Sequence, residues 1–131
     1  IRTHREKALA AAEQKAANRL TEAERKASVK RAAQMLAEKT AHFAKEMGVT
    51  YGRITIREQK TRWGSCSSAG NLNYNWKLVL MPERVMDYVV IHELAHRKEM
   101  NHSARFYAVV AQQMPDYKVW QSWLKEHGRE Y

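Results

Sequence analysis

The sequence predicts an α+β domain: about three short strands packed on one central helix and its flanking helices, behind an N-terminal helical extension. Three observations carry that class. Residues 3–47 contain no Gly or Pro and are rich in Ala, Glu, Lys and Arg, a helix-forming composition. After Gly48 the apolar residues recur with period 2 rather than 3.6, the mark of strands. After Met81-Pro82-Glu83 the helical period returns, with Pro and an acid placed as helix starts prefer them.

The elements follow in order. Thr21-Glu22-Ala23-Glu24 has the form of a capping box, which either divides two helices or lies within one long one. Met35, Leu36, Thr40, Phe43 and Met47 make an apolar face beyond it. Before Ala27 only a thin stripe of Leu9, Ala12, Ala16 and Leu20 is available, so residues 1–27 read as a peripheral extension and residues 28–131 as the domain. Gly48 supplies a helix C-terminus. Ile54 and Ile56 alternate with Arg53, Thr55 and Arg57, and the turn cluster 67–71 makes residues 63–67 and 72–80 the arms of a hairpin. The central helix then runs through Val85, Tyr88, Val89, His92 and Ala95 toward Met100. Ser103 is an N-cap for a helix carrying Phe106, Val109, Val110 and Met114 that Pro115 stops; a last amphipathic helix holds Tyr117, Trp120, Trp123 and Leu124 before Gly128.

At 131 residues with 44% hydrophobic and 28% charged side chains, the chain is neither disordered, collagenous nor a disulfide scaffold. No apolar run approaches the roughly 18 residues of a membrane span, and the charged N-terminus lacks the apolar core of a signal peptide. The single cysteine, Cys66, fits a reducing compartment, so a cytoplasmic location is expected. The net charge of +9 is spread along the chain, +5 in residues 1–50 (11 basic less 6 acidic) and +4 in the rest (12 less 8). A solvated basic surface explains it more simply than a nucleic-acid-binding patch.

His92-Glu93-Leu94-Ala95-His96 is an H-E-x-x-H motif inside the central helix. Residues i and i+4 share a helix face, so both imidazoles reach one ion, while Glu93 points about 100° away and borders the open coordination position as a general base. With 6 His and 12 Glu in the chain, the motif arises by chance in roughly 2–3% of such sequences, so it is informative before any context. Catalytic zinc takes a third protein ligand. His102 is preferred, provided that the chain turns near Asn101, a residue that tolerates the left-handed conformation. The spacing equals that of metzincins, although Glu99 stands where their turn glycine would be. The alternative is a carboxylate from the following helical region, Asp116 or Glu126, as in gluzincins. His4 and His127 read as surface residues.

Arg62-Trp63-Gly64-Ser65-Cys66-Ser67, Gly70-Asn71-Leu72, Asn75-Trp76, Leu80-Met81-Pro82, Asp87-Tyr88-Val89-Val90, the H-E-L-A-H core, Asn101-His102-Ser103 with Phe106, and Pro115-Asp116-Tyr117 together resemble the YgjP-like metallopeptidase family, which is related to the SprT-like zinc proteases. The resemblance covers about residues 28–127. It implies a small zincin-like domain, bacterial and cytoplasmic, with zinc on His92, His96 and His102 and with Glu93 catalytic. Within its motifs Arg62, Gly64, Ser65 and Asn75 are the candidate substrate-binding residues. Tyr107, or alternatively Tyr117, is a candidate hydrogen-bond donor to a tetrahedral intermediate. Cys66 reads as a small packed strand residue, and the four tryptophans as core or groove residues.

Three functions are weighed. The first is a zinc-dependent peptidase in which Glu93 activates a zinc-bound water; it expects a peptide or protein substrate and an edge strand facing the metal. The second, a metal-dependent nucleoside-triphosphate pyrophosphohydrolase, also an activity attributed within the family, needs several Lys or Arg converging near the metal. The third is a nucleic-acid-binding module with structural zinc, and it needs a closed four-ligand site. They are ranked in that order. Oligomeric state is not readable from the sequence.

Overall fold

The computed structural model describes residues 20–59 and 62–131. Helix α1, Glu22–Met47, begins where the capping box puts it: Thr21 Oγ1 accepts from the Glu24 amide at 3.1 Å and the Glu24 carboxylate accepts from the Thr21 amide at 3.3 Å. Gly48 ends the helix in the left-handed region at φ 70°, a conformation that costs glycine nothing. The helix buries Ser28, Ala32, Leu36, Thr40, Ala44 and Met47. That row is spaced by four and three residues, and Met35 and Phe43 flank it half-buried. Because α1 runs unbroken through residues 27 and 28, the division expected there coincides with no break between elements. Leu9, Ala12 and Ala16 lie outside the described residues, while Leu20 packs partly buried on the core.

Three short strands form one mixed sheet in the order β1-β3-β2: β1 Ile54–Arg57, β2 Gly64–Cys66 and β3 Leu72–Asn75. Strand β3 is central, parallel to β1 and antiparallel to β2. Leu72 and Tyr74 turn inward; the Tyr74 hydroxyl meets Thr40 Oγ1 of α1 at 3.0 Å, which satisfies both buried groups. The alternating pattern predicts a strand as far as residue 80, yet β3 stops at Asn75 and Trp76–Leu80 is a 3-10 helix. Asn75 causes the change, because its Oδ1 accepts from the Lys77 amide at 3.0 Å and caps the turn.

Helix α2, Glu83–Ala95, is the centre of the molecule, with ten of its thirteen residues buried. A helix that is apolar on nearly all sides must be enclosed, and α2 is packed by α1, β2 and the two helices that follow. It ends sooner than its periodicity predicts: His96 is already the C-cap, and the chain turns before Met100. Its one buried carboxylate outside the cavity, Asp87, is paired with Lys39 Nζ of α1 at 2.6 Å. Ser103 caps α3, Ala104–Gln113, through a 3.3 Å bond from the Phe106 amide, and α4, Tyr117–His127, follows after Pro115.

Candidate metal centre

The end of α2 and the turn beyond it build the site. His92 and His96, four residues apart, project from one face of α2, and the early turn after Ala95 brings His102 back over them. The three imidazoles offer ligand atoms that all lie within 4.8 Å of one another. His92 Nε2 and His102 Nε2 are 3.2 Å apart. Two ligands held at 2.0–2.1 Å on a tetrahedral ion are separated by about 3.3 Å, so this spacing is the edge of a coordination polyhedron. Burial, reinforced by the neighbouring imidazoles, pushes His92 down to about 4; burial also pulls His96 below its usual value. Both rings are therefore neutral at pH 7 with lone pairs to give, as ligation requires.

The outward nitrogens are held in turn. His96 Nδ1 donates to the Glu99 carbonyl at 3.2 Å, and the Tyr88 hydroxyl lies 3.4 Å from His92 Nδ1. Such contacts fix the tautomer that leaves Nε2 for an ion. Phe106, fully buried, is the floor: its ring stacks on His96 at 4.5 Å and meets His92 and His102 edge-on at 4.9 Å each. The donor set and spacing thus fit a divalent ion of the borderline kind that imidazoles bind.

These residues line a cavity of about 540 Å³ whose walls also include Arg62, Trp63, Gly64, Ser65, Cys66, Tyr88, Val89, Met100 and Leu124. Glu93 sits in it 6% exposed. Burial raises its carboxyl to about 8, against the opposing pull of Arg62. No protein group among the described residues donates to that carboxylate. Gly64 makes the close approach possible: a Cβ there would stand 3.0 Å from Glu93 Oε2 and 3.1 Å from both Glu93 Cγ and Val89 Cγ1. Gly64→Ala is therefore expected to shift the carboxylate by a few tenths of an ångström and lower kcat about tenfold, with metal content unchanged. Turnover and bound metal measured on one preparation check both halves.

The structure brings together His92, His96, His102, Glu93, Arg62, Gly64 and Ser65 around this cavity, but not Asn75 or Tyr107. Asn75 is 2% exposed, and its side chain is spent on the main chain, donating to the carbonyls of Gln59 and Arg62 while capping the 3-10 turn. Tyr107 stacks on Tyr117 at 5.9 Å and only brushes His102, with ring centroids 6.3 Å apart. Ser65 lines the cavity, but its Oγ already accepts from Asn73 at 3.2 Å. Neither alternative carboxylate ligand joins the triad. Asp116 is held by Arg84 at 2.9 Å and by the Trp120 indole at 3.1 Å, and Glu126 is exposed on α4.

Tyr88 and Phe106 also bear on the site without being among the residues expected there. Tyr88 stands four residues before His92, a spacing that could have singled it out as a partner for that ring. Phe106 belongs to the resembling motif set, but its place under three imidazoles depends on the turn between the helices. His127 pairs with Glu130 at 3.2 Å, away from the cavity. No helix among the described residues is long and apolar enough to cross a membrane.

Known proteins share the family and the fold. A family model described as YgjP-like, metallopeptidase domain matches residues 2–127, which includes most of the N-terminal segment 1–27. The fold is similar to the crystal structure of the metallopeptidase zymogen abylysin of Pyrococcus abyssi, with TM-score 0.63 and 24% identity over 72% of this chain and 96% of that one. It is also similar to the zymogen of jannalysin from Methanocaldococcus jannaschii, with TM-score 0.54 and 19% identity over 64% of this chain and 90% of that one. None of the curated proteins compared with this chain matches it.

Proposed function

The chain belongs to the YgjP-like metallopeptidase family and is a hydrolase, and from that premise we propose that it is a zinc-dependent peptidase of the cytoplasm with Glu93 as its general base. His92, His96 and His102 hold the ion. When bound, zinc lowers the pKa of a water molecule and polarises the carbonyl it attacks. The rest is the work of this chain. Glu93, with no donor among the described residues to satisfy it, takes the proton of the attacking water and delivers it to the departing amide nitrogen. A cation beside it draws its pKa down from the value that burial alone sets.

One observation carries the choice of a peptide as substrate: β2 is an edge strand, and all three of its residues line the cavity. The Asn75 amide donates to the Trp63 carbonyl at 2.9 Å and the Ser67 amide to the Asn71 carbonyl at 3.0 Å. In an antiparallel ladder the bonded residues alternate, so Trp63, Ser65 and Ser67 face β3. Gly64 and Cys66 therefore turn their main-chain groups outward, free to pair with an extended peptide beside the triad. The lining supports a triphosphate substrate less well, because among its described residues only Arg62 is a Lys or Arg, where several converging cations are needed. Three ligands beside an open cavity also fit catalysis better than a closed structural site.

The test is hydrolysis of a mixed peptide library and of nucleoside triphosphates by the zinc-loaded protein. We expect peptide cleavage that a chelator abolishes and zinc restores. Triphosphate turnover without peptide cleavage would replace this reading by the second one.

A further inference from the structure

Arg62 is the lone fixed positive charge among the described residues that line the cavity. It stands exposed at the wall, two positions before Gly64. Its main chain is anchored, since the buried Asn75 amide donates to the Arg62 carbonyl at 3.4 Å and to the Gln59 carbonyl at 2.9 Å. Its side chain is not: among the described residues the guanidinium makes no hydrogen bond or ion pair, although its charge is felt at Glu93. Arg97, across the same hairpin, shows the contrast. Its Nε and Nη1 are committed to the carbonyls of Thr50 and Ser68 at 2.9 and 3.3 Å.

An anchored arginine with a free fork is a recognition element. The planar guanidinium matches a carboxylate bidentately. With a divalent ion bound, that ion and the Arg62 guanidinium outweigh Glu93, the one carboxylate among the described lining residues, a field that favours an anionic substrate. A single guanidinium suits one carboxylate rather than a chain of phosphates.

We propose that Arg62 selects the substrate by binding a carboxylate, so that this site prefers peptides bearing one within about two residues of the bond presented to Glu93. The proposal rests on the peptidase reading and deepens it. Two sources share the chemistry, the free C-terminus of the peptide and an Asp or Glu side chain.

Three matched peptide sets separate them: neutral and amidated, acidic and amidated, and neutral with a free C-terminus. With the zinc-loaded protein, kcat/KM for at least one carboxylate set should exceed that for the neutral amidated set about tenfold, the order expected of one charge-assisted hydrogen-bonded pair. In Arg62→Met the carboxylate set should lose about tenfold more than the neutral set, chiefly through KM, and Arg62→Lys should recover part of it. Affinity for the same peptides, measured without turnover on zinc-loaded Glu93→Gln, should follow the same order. If peptides are cleaved and bound with no preference for a carboxylate, the proposal fails while the peptidase reading stands. An equal loss on all three sets in Arg62→Met, with a displaced pH profile, would mean that Arg62 serves only to tune Glu93. If no set is cleaved or bound, both readings fall.

Discussion

Glu93→Gln is expected to lower kcat about 10²–10⁴-fold, the usual contribution of a general base, while the protein keeps its full complement of metal. Gln has nearly the same shape and fills the same place against Gly64 and Val89, but it has no lone pair basic enough to take a proton from water. In the proposed role Glu93 is not a ligand, so affinity for the ion should hold. The same substitution has a second consequence that needs no activity. In the ion-free protein burial raises the Glu93 carboxyl from its usual 4.5 to about 8. The folded state therefore binds more protons than the unfolded one between those values, and stability falls as pH rises through that window. Gln does not titrate. Ion-free Glu93→Gln should thus be more stable than the unsubstituted protein at pH 8 and above, with the difference shrinking toward pH 4. Thermal unfolding across that range, with a chelator present, reads it directly; a difference that does not vary with pH would sink the account.

The parts of the site legible in the sequence are those set within one helix. The H-E-x-x-H spacing is a property of one helix, so geometry at 3.6 residues per turn sufficed to put His92 and His96 on one face and Glu93 beside them. Caps were equally local: Thr21, Gly48 and Ser103 act on backbone groups within a few residues. What failed was decided by contacts distant in sequence or by competing local bonds. Asn75 looks like one more alternating strand residue, but its amide is worth more as a cap and as an anchor for the carbonyls of Gln59 and Arg62. Gly64 came from a motif resemblance alone; the reason for a glycine there, the approach of Glu93 from another element, appears only when β2 is laid on α2. The fold class survives such errors because burial patterns average over many residues, whereas a substrate contact depends on one.

His102→Ala should cost the protein its metal. Loss of an outer hydrogen-bond partner alone weakens a metal site about 10–100-fold, and removing one of the three proposed ligands should exceed that. A competition assay with a chromophoric chelator would show the fall, and hydrolysis should vanish at metal concentrations that saturate the unsubstituted protein. The fold should not suffer: His102 is exposed on the turn before α3, and Ser103, not His102, caps that helix. Ion-free stability should therefore stay within about 0.5 kcal/mol, as for ordinary surface changes. The control is Asp116→Asn. Asp116 bridges Arg84 and the Trp120 indole, so its loss should loosen α4 against α2 and lower stability without weakening the ion. The reverse pattern, metal retained in His102→Ala and lost in Asp116→Asn, would transfer the third ligand to the carboxylate. It would also require α4 to break both of those bonds and move toward the triad, a rearrangement for which imidazole nitrogens only 3.2 Å apart at His92 and His102 leave no need.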